Sequence, residues 1–106
     1  MAGDAYVGLL LADLHFPGNH SLKGKRSPIT SLRDVVQQRF RASFSEVGHQ
    51  DSWQLARVLI VLAASSAQQA RERVDEIDRY LHAQDYEVSR IRKTVDTVEA
   101  AWDGDF

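Results

Sequence analysis

Two short stretches, AYVGLLLADLH at 5–15 and LARVLIVLAA at 55–64, are apolar at odd and even positions alike, and this constrains the fold more than any other feature of the chain. A strand with one wet face alternates, whereas a strand apolar on both faces belongs in the middle of a sheet. In the first stretch the even set is Tyr6, Gly8, Leu10, Ala12 and Leu14; the odd set runs Val7, Leu9 and Leu11 before turning polar at Asp13 and His15. In the second, Val58, Ile60 and Leu62 share one parity and Leu59, Val61 and Ala63 the other. Neither run is long enough to span a bilayer, and the first lacks the basic flank of a signal peptide. The chain has no cysteine, which excludes a disulfide framework, a thiolate nucleophile and a zinc site built on sulfur, and fits a reducing compartment. A cytoplasmic protein with no membrane partner is expected.

The segments between these strands read as follows. Phe16-Pro17-Gly18-Asn19 is a turn signal without the glycine and lysine pattern of a phosphate-binding loop. Leu22, Ile29, Leu32, Val36 and Phe40 recur at helical spacing. Two starts are open for this helix: Ser27 as cap with Pro28 at the first position, which we prefer, or a start near Ser21 with a kink between Gly24 and Pro28. Residues 42–49 form a weak strand, and Gly48 to Ser52 a loop. Ser66 followed by Gln69 is a capping box, and Ala70, Val74, Ile77 and Leu81 then share one helical face. A last strand, 86–95, changes parity among Tyr86, Val88, Ile91 and Val95, which predicts either a bulge or a shorter strand. The acidic tail is expected to be loose from about residue 100, apart from its aromatics Trp102 and Phe106.

The order strand, helix, strand, strand, helix, strand predicts one α+β domain over residues 1–106, a ferredoxin-like βαββαβ sandwich. Its four-stranded antiparallel sheet carries both helices on one face. The first strand pairs with the third and fourth, and the second is an edge. The open face would leave Val7, Leu9, Leu11, Leu59 and Val61, or their opposite-parity neighbours, to meet another chain, and a homodimer is the simplest closure.

No arrangement in the chain demands a reaction. Asp13, His15, Glu46, His49 and Asp51 are residue types that bind metals or move protons, but they lack ligand spacing, so no catalytic site, metal or cofactor is expected. Asp51 reads as a turn carboxylate holding backbone amides, and Ser65 and Ser66 as a helix cap. Charge is more informative. Residues 21–41 hold Lys23, Lys25, Arg26, Arg33, Arg39 and Arg41 against Asp34, a balance of +5, within a chain of net charge −2. Lys23, Lys25, Arg26 and Arg33 are therefore the expected phosphate contacts, with Lys25 and Arg26 outside the apolar stripe. The third strand has no aromatic residue, so base stacking on the sheet is disfavoured.

Taken together, Asp13-Leu14-His15-Phe16-Pro17-Gly18, Ser21-Leu22-Lys23-Gly24-Lys25-Arg26, Ser45-Glu46-Val47-Gly48-His49-Gln50-Asp51 and Trp53-Gln54 resemble the YlxP-like family of small bacterial proteins of unknown function. The resemblance implies a ferredoxin-like fold and a bacterial source. Genes of that family often lie near those for ribosome maturation and translation initiation factors, which implies ribosomal RNA or a ribosomal particle as partner. Gly24 and Pro28 depart from the helix-favouring residues that the resemblance leads one to expect.

Overall fold

A computed structural model describes residues 5–98. Along the chain run β1 (Tyr6–His15), α1 (Leu22–Gln38), β2 (Ser43–Gly48), β3 (Leu55–Ala64), α2 (Ala67–His82) and β4 (Glu87–Thr97). The strands form one antiparallel sheet in the order β2-β3-β1-β4. The two-faced apolar strands β1 and β3 are thus its centre, as their composition demands, and β2 is an edge. The expected looseness of the tail concerns residues outside those described. Among the described residues no helix is long and apolar enough to cross a membrane.

Parity decides which face meets the helices. Leu10, Ala12 and Leu14 of β1, with Ala56, Val58, Ile60 and Leu62 of β3, are buried together with Leu32 and Val36 of α1 and Ala70, Val74, Ile77 and Leu81 of α2. Each fully buried leucine or isoleucine here contributes about 1.5–3 kcal/mol relative to exposure. Contact is close where α2 crosses β1, since a Cβ built on Gly8 would lie 2.7 Å from Val74 Cγ2. The odd set, Val7, Leu9 and Leu11 beside Leu59 and Val61, lies on the face without helices.

Helix α1 begins six residues earlier than the preferred reading. Ser21 is its cap, its Oγ accepting the Gly24 amide at 2.9 Å, and Pro28 lies inside the helix. An interior proline costs about 3 kcal/mol. Tertiary bonds available only to the earlier start offset it: Asn19 Nδ2 donates to the carbonyls of Ser21 and Trp53, and Lys25 Nζ to those of His49 and Leu55. Gly24 fits the same device, because a side chain there would meet Asn19 Oδ1. At α2 the Ser66 Oγ accepts the Gln69 amide at 3.1 Å, while Gln69 Oε1 accepts the amide of Ser65 at 3.0 Å. In β4 the expected bulge falls at Ser89: Asp13 faces Arg90 and Leu14 faces Val88.

Candidate functional site

The open face turns from apolar to charged at one end of the sheet. On β1, Asp13 is flanked by Arg57 of β3 on one side and Arg90 of β4 on the other, and Leu11 faces Arg92. Five residues, Leu11, Asp13, Arg57, Arg90 and Arg92, line a hollow of about 150 Å³. Arg57 grips the carboxylate in a fork, Nε to Oδ1 at 2.7 Å and Nη2 to Oδ2 at 3.0 Å. That hydrogen-bonded guanidinium lowers the Asp13 pKa from its ordinary 3.8 against the opposing effect of desolvation, with His49 and Arg90 adding to the field. Arg57 is raised in turn by the same contact. With Asp13 neutralised by Arg57, the exposed guanidinium groups of Arg90 and Arg92 make no hydrogen bond or ion pair among the described residues. They are free to take an anion.

A rigid loop stands at the same end. It leaves β2 at His49, whose φ of 61 is in the left-handed region, and returns at Leu55. The Lys25 ammonium closes it from below, donating to the His49 carbonyl at 3.0 Å and the Leu55 carbonyl at 2.9 Å. Within the loop, Ser52 Oγ accepts the amides of Gln54 and Leu55, and Gln54 Nε2 donates to the Asn19 carbonyl. Ser52, rather than the expected Asp51, is therefore the group that holds the turn amides. Trp53 sits on this frame 54% exposed.

The four basic residues expected to bind phosphate have different fates. Lys23 and Arg26 are exposed on α1, and Arg33 is exposed but lies 3.4 Å from its neighbour Asp34. Lys25 corrects the expectation: it is 4% exposed, with Glu46 3.6 Å away, and its ammonium is spent on the loop. The arginines of β3 and β4 were missed as a group, because only strand register brings residues 57, 90 and 92 together; their alternation in Arg90-Ile91-Arg92 was the one available signal. Of the metal and acid–base candidates, His49 Nε2 lies 3.9 Å from Asp13, and His15 bonds Glu87 at 2.9 Å. No group of three His, Asp or Glu residues suited to a metal ion occurs among the described residues.

A family profile described as "Protein of unknown function (DUF503)" matches residues 7–99. The chain is also similar to "Uncharacterized protein YlxP" of Bacillus subtilis (strain 168), at 35% identity over 57 residues. That alignment covers 54% of this chain and 62% of the relative.

Proposed function

This chain belongs to the DUF503 family, and because that family's description carries no activity, we propose from the geometry that it is a cytoplasmic, non-enzymatic RNA-associated factor, with ribosomal RNA or a ribosomal particle as its target. The observation that carries this reading is the hollow in which Arg57, Arg90 and Arg92 surround a single carboxylate that one of them already neutralises. Lys23 and Arg26 add two exposed cations near the start of α1, which Asn19 and Lys25 tie to the same end of the sheet. Unpartnered guanidinium groups on a sheet suit phosphate oxygens and carry no sequence information, so binding is electrostatic and broad in specificity.

Four cations without a partner among the described residues, Lys23, Arg26, Arg90 and Arg92, predict that log affinity for RNA falls against log salt with a slope of roughly −3 to −4. The double variant Arg90→Glu/Arg92→Glu should weaken binding to all RNAs alike and flatten the slope by about 1.5, with the fold intact because both side chains are exposed on an edge strand. Absence of binding to RNA or ribosomal particles at low salt, or equal binding by the variant, overturns the reading. A second reading is favoured by strand register, which puts Val7, Leu9, Leu11, Leu59 and Val61 on one open face: self-association of the chain into a homodimer through that face.

A further inference from the structure

An indole that is 54% exposed leaves a large apolar surface in water. Scattered exposed hydrophobic residues are ordinary on a protein surface; the setting of Trp53 is not. Both ends of its loop are bonded to the buried Lys25, its own carbonyl accepts from Asn19, and the amides that follow it are held by Ser52. The ring makes no pair with another aromatic and the indole no hydrogen bond among the described residues. The backbone is therefore fixed while the ring is left unused, which is how a contact is pre-organised: little freedom remains to be lost on binding.

What the ring would meet follows from its surroundings. Trp53 lies four residues before Arg57 and is joined through Asn19 to the start of α1, where Lys23 and Arg26 are exposed; Asp51 is the one acid of the loop. An exposed aromatic face at the same end of the fold as Lys23, Arg26 and Arg90, which make no hydrogen bond or ion pair among the described residues, offers the pairing that single-stranded nucleic acid requires, cations for phosphates and a flat ring for a base. We infer that Trp53 stacks on an unpaired base of bound RNA. This rests on the RNA reading above and supplies what the arginines lack, a reason to prefer unpaired strands over duplex.

The test uses the full chain with Trp102→Phe, which leaves Trp53 as the sole tryptophan, titrated with a short oligouridylate and with the same oligonucleotide made abasic. Tryptophan emission should be quenched by the first and much less by the second. Trp53→Ala should bind oligouridylate about 5- to 150-fold more weakly with the salt slope unchanged, and Trp53→Phe should recover most of the loss. The abasic comparison on unaltered Trp53 keeps the inference falsifiable should Trp53→Ala unfold. Equal binding of the two oligonucleotides without quenching, while Arg90→Glu/Arg92→Glu still flattens the salt slope, overturns the stacking and leaves the phosphate reading standing. No binding of any oligonucleotide at low salt overturns both. Emission that shifts with protein concentration in the absence of RNA overturns the inference by assigning the ring to contact between copies.

Discussion

Burying an ammonium costs several kcal/mol unless its donors are used, and Lys25 uses them: two carbonyls within 3.0 Å and the Glu46 carboxylate at 3.6 Å. Lys25→Met would keep the volume but orphan two carbonyls and leave Glu46 without its cation. It should lower stability by about 3 kcal/mol in urea unfolding, whereas Lys23→Met should change it by less than about 0.5 kcal/mol. Equal stability of the two variants would contradict the role assigned to Lys25. The sequence held a signal for this that its chemistry masked. Lys25, Ile29, Leu32 and Val36 are spaced four, three and four apart, so Lys25 lies on the helical stripe, but a basic residue among Lys23 and Arg26 reads as solvated. Burial of its head group depends on carbonyls twenty-four and thirty residues away, which no local pattern announces.

At the scale of elements, what could be read depended on whether one face decides the structure. Helix α2 was readable at its start and along its buried face: its cap, its stripe of Ala70, Val74, Ile77 and Leu81, and its start after Ser66 are all local. The bulge of β4 was readable too, because parity must slip for Val88 and Ile91 both to face the helices. The start of α1 was readable only as two alternatives, of which the start near Ser21 and not the preferred one holds, since an interior proline is tolerated only through bonds to the β2–β3 loop. Gly8 gives the crossing of β1 and α2 a direct test. Gly8→Ala places a Cβ 2.7 Å from Val74 Cγ2 and 3.0 Å from Leu62 Cδ1, and should cost about 1–3 kcal/mol by overpacking. Adding Val74→Ala should cancel part of that loss in a double-mutant cycle. Strict additivity of the two losses would mean that the helix, rather than the valine, absorbs the methyl group.

For the whole molecule, the open face sets the expectation. Val7, Leu9, Leu11, Leu59 and Val61 stay outside the core cluster, with Leu11 37% exposed. If this face closes on a second copy, light scattering at micromolar concentration should give a dimer, and Leu9→Glu should give a monomer of unchanged fold, because Leu9 points away from α1 and α2. A monomeric wild type with a Leu9→Glu variant of equal solubility removes the homodimer. Register was the part of the candidate site hidden from the sequence: Asp13 acquires its two arginines only when residues 57 and 90 arrive from separate strands.

The position of β1 between β3 and β4 also bears on how the chain comes to be folded at all. Tyr6 faces Thr97, so the first strand made receives its second neighbour only when nearly the whole described chain exists, while β2 and β3 adjoin across a short loop. Long loop closures slow folding and lengthen the time for which apolar strands stand unpaired. A nascent chain halted before Glu87 would carry β1, apolar on both faces over most of its length, as a bare edge, open to any other strand in reach, so synthesis of β4 must come before completion of the sheet.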